Sequence, residues 1–387
     1  MGVRETTKIA KIAKVRLGDV CSINMGQSPD SKSYNSEARG LPFYQGNADF
    51  GDDHPTPRVW CDTPTKVAEV GEILISVRAP IGALNFANER CCIGRGLASL
   101  NPSSEIIPRY LYYSLRSKNE ELNLRGTGST FKAINKKSLA TVEFFLPSLP
   151  EQKRIAEELD QICELKKNAE ERLALMDQLV KSRFVEMFGN VVRNDRGWTI
   201  SKFGEVTDSR LGKMLDAKKQ TGLHKRKYLA NFNVQWFKID ASELHEMDFD
   251  EADRLEFALK DGDLLVCEGG ESGRCCVWRN QIENCYYQKA LHRVRCHADK
   301  LDPDFLSYWF LMSCKGHAFD HILGAKATIA HLPGVKLKAL DVVVPPIALQ
   351  CEFAAFVAEV DKSKFVLRET VARMETLYKA KLQEYFG

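Results

Sequence analysis

Two long stretches of the chain place apolar residues at spacings that alternate between four and three for most of their length. In the first they fall at Ile155, Leu159, Ile162, Ala169, Leu173, Met176, Val180, Phe184 and Met187; in the second at Phe353, Val357, Val360, Leu367, Val371, Met374, Tyr378, Leu382 and Tyr385. This rhythm keeps one apolar stripe on one face of an α-helix, as in the seam of a coiled coil. Each stripe is broken once by a lysine, Lys166 and Lys364, at matching places. A polar seam residue either fixes register and partner or snorkels its ammonium to water, and the spacing leaves both open. Pro147 and Pro150 precede the first stripe and Pro345 and Pro346 the second, which marks helix starts. Two separate stripes need partners, and the economical partner of each is the other, packed antiparallel.

The two helices belong to a longer repeat. Laid with an offset of 198, residues 126–189 and 324–387 match at 15 of 64 positions without a gap, among them Thr130/Thr328, Pro147/Pro345, Gln152/Gln350, Met176/Met374 and Phe188/Phe386. Chance would give about four on ordinary composition. Upstream the match continues with gaps: Gly71-Glu72-Ile73-Leu74-Ile75 with Gly262-Asp263-Leu264-Leu265-Val266, and Pro108-Arg109-Tyr110-Leu111 with Pro303-Asp304-Phe305-Leu306. Each unit is thus a mixed domain followed by one long helix. Strand-like runs at 73–77, 141–146, 264–267 and 339–344 alternate with polar loops, and one short helix per domain is expected at 109–118 and 304–315. The expected fold class is α+β: two tandem mixed α/β domains at 1–146 and 190–344, joined by two long antiparallel coiled-coil helices at 147–189 and 345–387, in a pseudo-two-fold internal repeat.

Composition narrows the class. Of 387 residues, 44% are hydrophobic and 28% charged, the balance of a soluble globular protein. No apolar run reaches the length of a membrane span, and the basic start at 1–13 lacks the apolar core of a signal peptide. The twelve cysteines include no C-x-x-C and read as reduced, mostly buried thiols of a cytoplasmic protein, with no metal site. Net charge is only +3, but residues 1–146 carry 19 basic and 15 acidic side chains against 7 and 9 in 151–189. The positive excess lies outside the helical stretch.

Catalytic signatures are missing. The chain has no phosphate-binding G-x-x-x-x-G-K, no G-x-S-x-G and no H-E-x-x-H. Asn101-Pro102 is followed by Ser103, not by the proline and aromatic residue that adenine methylation uses. Catalysis is therefore not expected of this chain.

Reading DNA requires amide and cationic side chains on a rigid frame, with further cations for phosphates. The densest patch is 210–227, with Arg210, Lys213, Lys218, Lys219, Lys225, Arg226 and Lys227 against one acid, Asp216. Its counterpart in the first unit, 26–35, is polar and nearly uncharged, and offers Gln27, Ser28, Lys32 and Tyr34. Arg95 and Lys289 form a second pair, each two residues before a leucine that opens a strand, and Gln288 adds an amide. Arg78 follows the strand at 73–77, and Gln45 and Asn47 follow Phe43-Tyr44. Lys132, Arg274 and Lys326 complete the candidate DNA-binding set. The competing reading is a coiled-coil adaptor that binds only protein.

The layout resembles the specificity subunit of type I restriction-modification systems over nearly the whole chain. The resemblance rests on Leu146-Pro147-Ser148-Leu149-Pro150-Glu151-Gln152-Lys153-Arg154-Ile155-Ala156, on Phe184-Val185-Glu186-Met187-Phe188-Gly189-Asn190, and on Gly197-Trp198-Thr199 opening the second unit. Gly126-Thr127-Gly128-Ser129-Thr130 and Gly26-Gln27-Ser28-Pro29 add to it. The second copy departs at Ala348-Leu349-Gln350. The resemblance implies that 1–146 and 190–344 are target-recognition domains, each reading half of a bipartite DNA site in the major groove. It implies that 147–189 and 345–387 are spacer helices that set the gap and dock two methyltransferase subunits, with restriction subunits joining that core. It also implies a prokaryotic cytoplasmic protein without a cofactor of its own, since S-adenosylmethionine, ATP and Mg belong to the partner subunits.

Overall fold

The computed structural model describes residues 13–128, 132–216, 220–319 and 331–387. The chain divides into two compact units, one made of residues up to Glu170 together with Glu369–Gly387, the other of Glu171–Arg368.

The first unit is built on an antiparallel four-stranded sheet in the order Cys21–Met25, Leu97–Pro102, Ile73–Ser76, Leu84–Phe86. Beside it lie a two-stranded pair, Ala13–Arg16 with Glu143–Leu146, and a five-stranded sheet of short strands. The five-stranded sheet contains one parallel pairing, Phe43 and Tyr44 with Cys92 and Ile93. The helix Pro108–Ser117 opens on proline, whose fixed φ suits a first helical position where no N–H partner is needed. Its residues Tyr110 to Leu115 are all buried. They pack with Ile73 and Ile75 of the sheet and with Ile155, Ala156 and Leu159 of the long helix Leu149–Phe188.

The second unit repeats this plan. Its four-stranded sheet runs Thr207–Leu211, Leu291–Cys296, Leu264–Cys267, Cys275–Val277, and Thr199–Lys202 pairs with Asp341–Val344. The helix Pro303–Lys315 again starts on proline, here with Asp302 accepting from the N–H groups of Asp304 and Phe305. Phe184, Phe188, Phe305 and Phe353 form an aromatic knot with ring centroids 4.7 to 5.6 Å apart. Truncating one such buried ring typically costs about 3–5 kcal/mol.

The equivalence reaches individual backbone hydrogen bonds. Gly26 N–H donates to Leu97 and Gly212 N–H to Leu291; Gln27 donates to Ile93 and Lys213 to Tyr287; Gly94 donates to Tyr44 and Gln288 to Leu229; Gly82 donates to Ser76 and Gly273 to Cys267. The offset between partners grows from 186 at Gly26/Gly212 to 198 at Gln152/Gln350, so loops of different length hang from one frame.

Leu149–Phe188 and Ile347–Phe386 are each 40 residues long, and each unit contains a part of both. In the first unit Glu158 meets Lys381 at 2.9 Å and Lys166 meets Glu375 at 2.9 Å. In the second, Lys364 meets Asp177 at 2.8 Å and Arg183 meets Glu352 at 3.0 Å. Partner numbers fall as the others rise, so within each unit the two segments run antiparallel. Every residue of the two expected apolar stripes is buried or half-buried. The two seam lysines are cross-helix ion pairs rather than snorkelling side chains. The pairs are repeat-related, since Lys166 and Glu375 stand where Lys364 and Asp177 do. Pro150, expected ahead of the first helix, lies inside its first turn, where proline's missing N–H has no intrahelical partner to lose.

All twelve cysteines are free thiols. Burial pushes Cys92 up to about 11 and Cys276 up to about 12, which keeps both protonated and unreactive at neutral pH. No described helix is long and apolar enough to cross a membrane.

Candidate nucleic-acid interface

In the first unit, four of the residues expected to read DNA are brought together. Tyr34, Gln45, Asn47 and Arg78 line one open cleft of about 570 Å³, with Phe43, Arg58 and Asp49. The frame beneath is tight. A Cβ at Gly26 would collide with the carbonyl oxygens of Gly94 and Ile93, so only glycine lets the two loops approach. The Ser28 hydroxyl accepts the Arg95 N–H at 3.3 Å, and the Gln45 carbonyl accepts the Gly96 N–H at 3.1 Å. Arg95 is thereby held by its backbone while its side chain stays exposed. Tyr34 donates its hydroxyl to the Pro29 carbonyl at 3.0 Å and packs its ring 4.7 Å from Phe43. Arg78 bridges to Ala133, and the Ala79 N–H donates to the Lys132 carbonyl at 3.1 Å, which puts Lys132 beside Arg78. Gln27 and Lys32 are exposed on the same loop as Ser28.

Arg58 was not singled out in the sequence. It lines the cleft and pairs with Asp49, whose other carboxylate oxygen accepts the Gln45 N–H at 2.9 Å. A lone arginine in a polar loop carries no pattern that would have marked it.

The second unit distributes its cations differently. Lys213 was expected as a DNA-facing cation, but its side chain is only 15% exposed. Its ammonium is held by the Asp253 carboxylate and by the Asp248 carbonyl at 2.6 Å. Arg274 is similarly internal: 16% exposed, it donates to the Asn231 carbonyl at 3.0 Å and to Asn231 Oδ1 at 2.8 Å, with Glu271 at 3.4 Å. Both cations serve the fold, a correction to the sequence expectation. Arg210 is half-committed, paired with Glu256 and lying 5.6 Å over the Phe257 ring. Lys225 and Lys289 remain exposed, Arg226 and Gln288 partly so. The Lys289 N–H donates to the Lys213 carbonyl at 3.0 Å, and Gln288 bridges to Lys213, so these residues do stand together. Lys218, Lys219 and Lys326 lie outside the described residues.

A residue without any sequence signal organises this corner. The Asp248 carboxylate is buried and accepts from Thr221 N–H at 2.5 Å, Thr221 Oγ1 at 2.8 Å, Gly222 N–H at 2.7 Å and His224 N–H at 3.1 Å. Burial alone would raise its pKa. The hydrogen bonds from the Thr221 hydroxyl and the three N–H groups outweigh burial and hold the carboxyl below the usual aspartate value.

Residues 10–175 match the sequence family described as the type I restriction modification DNA specificity domain. The MjaX type I restriction enzyme specificity subunit of Methanocaldococcus jannaschii is 43% identical over 155 residues, which is 39% of this chain and 36% of that one. The MjaIX specificity subunit of the same organism is 26% identical over 230 residues, 52% of this chain and 53% of that one. The chain thus spans about a third to a half of the length of these relatives. A crystal structure of a type I restriction-modification system S subunit from M. genitalium covers 99% of this chain and 98% of its own, with a TM-score of 0.65 at 14% identity, and so shares the fold. Over residues 10–175 the chain is therefore similar to the type I restriction modification DNA specificity domain.

Proposed function

We propose that this chain is the DNA sequence-specificity subunit of a type I restriction-modification complex and is not itself a catalyst. The observation that carries this reading is the repeated frame with unlike loops. The same backbone hydrogen bonds recur at Gly26/Gly212, Gln27/Lys213 and Gly94/Gln288, while the side chains they present differ. Two like frames with different tips suit two different half-sites of one split DNA sequence. In the first unit the amides Gln45 and Asn47 and the guanidinium of Arg78 share one cleft, and such groups match the donor and acceptor edges of bases in the major groove. Exposed Lys32, Arg95, Lys132, Lys225 and Lys289 are suited to phosphates.

In this proposal the antiparallel segments form one coiled-coil spacer. It sets the gap between half-sites, for which about 34 Å, one turn of DNA, is the natural measure. The spacer also docks two methyltransferase subunits, and restriction subunits join that core. S-adenosylmethionine, ATP and Mg act in those partners, in the prokaryotic cytoplasm.

The experiment is to co-purify the chain with a methyltransferase partner and measure binding to duplex DNA across a salt series. The proposal expects sequence-selective binding that weakens steeply with salt. Binding with no sequence preference, in a complex verified to contain both proteins, would contradict it.

A further inference from the structure

In the second unit the strand Thr207–Leu211 runs into Gly212 and Lys213, whose backbone is pinned on both sides. Gly212 N–H donates to Leu291 at 3.0 Å, Lys213 N–H to Tyr287 at 3.2 Å, and the Lys213 carbonyl accepts from Lys289 at 3.0 Å. With the Lys213 ammonium turned inward onto Asp253, the next two residues are the ones that face out. Met214 is 60% and Leu215 55% exposed.

The first unit fills the same places with Ser28 and Pro29. Ser28 is engaged with the Arg95 N–H, and Pro29 is buried. The repeat therefore keeps the frame and replaces a self-satisfied corner with an exposed thioether and an exposed isobutyl group. Single exposed apolar side chains are ordinary. Here two adjacent ones directly follow a backbone held at Gly212 and Lys213, and Leu223, 80% exposed, lies between Thr221 and His224, which line the same cleft as Met214.

The surroundings indicate what these side chains meet. The Lys289 ammonium lies 3.7 Å from Met214 Sδ, and Lys225 is exposed nearby in sequence on the strand that follows the loop. Five carboxylates line the same cleft as Met214: Asp253 is engaged with Lys213, Glu256 with Arg210, Asp250 with the Asp253 N–H and Asp248 with the 221–224 backbone, and Asp216 completes the set. An apolar tip beside the Lys289 ammonium fits a surface that is anionic at its edges but offers one apolar group. The major groove is such a surface, with phosphates at its edges and the thymine 5-methyl on its floor.

We infer that Met214 and Leu215 are specificity-determining residues that contact thymine methyl groups in the half-site read by the second unit. The inference rests on the DNA-reading function proposed above. It is tested by letting the complex of the full chain with its methyltransferase select from two randomised duplex pools, one containing thymine and one containing uracil, which lacks the methyl. Wild type is expected to select thymine at one or more positions in one half of a split sequence. In the uracil pool that preference falls by roughly fourfold for each methyl lost. The double variant Met214→Ser/Leu215→Ser loses the same positions and keeps the other half-site. Equal selection by wild type from both pools overturns the inference and leaves DNA reading intact. Selection of no sequence from either pool overturns the DNA reading, and this inference with it.

Discussion

Gln152 and Gln350, 198 residues apart, hold their surroundings with the same three hydrogen bonds. Gln152 Oε1 accepts the Ile107 N–H at 2.8 Å, and its amide donates to the carbonyls of Glu105 at 3.0 Å and Pro147 at 2.9 Å. Gln350 Oε1 accepts the Asp302 N–H at 2.9 Å, and its amide donates to Lys300 at 2.9 Å and Pro345 at 2.7 Å. Both side chains are fully buried. Each ties the first turn of a long helix to the loop that opens the short helix of its domain. Replacing either by alanine leaves one N–H and two carbonyls unsatisfied. Gln152→Ala and Gln350→Ala are each expected to lose roughly 2–4 kcal/mol in urea denaturation. A loss under about 0.5 kcal/mol in both would show that water substitutes freely for the amide.

The cross-helix pair of Lys364 and Asp177 sets a second expectation. Lys364 is only 5% exposed and also lies 3.3 Å from Asp361. Lys364→Glu brings three carboxylates together, and a loss of roughly 2–3 kcal/mol is expected. Asp177→Lys added to that variant restores an opposite pair and is expected to recover at least half of the loss in a double-mutant cycle. Additive losses would mean that the two side chains do not interact across the helices.

The helical repeat was legible because a buried stripe forces apolar residues into a fixed rhythm, and the stripe residues from Ile155 to Met187 obeyed it. Gln152 and Gln350 were visible only as a matched pair. Four of the six groups they bond to lie 45 to 50 residues upstream, a relationship that one sequence does not carry. The upstream repeat was legible only in fragments, since its backbone hydrogen bonds recur while its loops differ in length and side chain. Lys213 and Arg274 were misjudged for a related reason. Charge is written in the sequence, but the partner is not: Asp253 lies 40 residues beyond Lys213 and Asn231 lies 43 before Arg274. Gln45, Asn47 and Arg78 share one cleft, whereas Arg58 and Asp248 had no pattern to reveal them.

Asp248 makes the 221–224 loop sensitive to acid. Its folded pKa lies below the ordinary aspartate value of about 3.9. Its contribution is therefore complete above that unfolded value and is lost as pH falls through the lower folded one. Amide exchange at Thr221, Gly222 and His224 is expected to be slow at neutral pH and to lose protection only under acid, below about pH 4. Asp248→Asn should lose that protection already at pH 7, because the amide group offers N–H where the loop needs an acceptor. Protection unchanged in the variant would show that the loop is held elsewhere.

The basic segment of the second unit predicts a salt effect. Neutralising Lys218, Lys219, Lys225 and Arg226 to glutamine is expected to weaken DNA binding by the complex. It should also flatten the dependence of log affinity on log salt by up to about 3–4 units, from about 0.9 per phosphate contact. A slope equal to that of the wild type would mean that these side chains do not touch phosphates.

In the function proposed above, two repeated frames read two halves of one DNA site. The most direct measurement maps adenine methylation across the genome of cells that make this chain together with a methyltransferase subunit. The predicted result is a new split motif, two short defined blocks around an undefined gap, methylated only when this chain is present. A complex verified by pull-down that leaves no new motif, or marks one uninterrupted block, would contradict it.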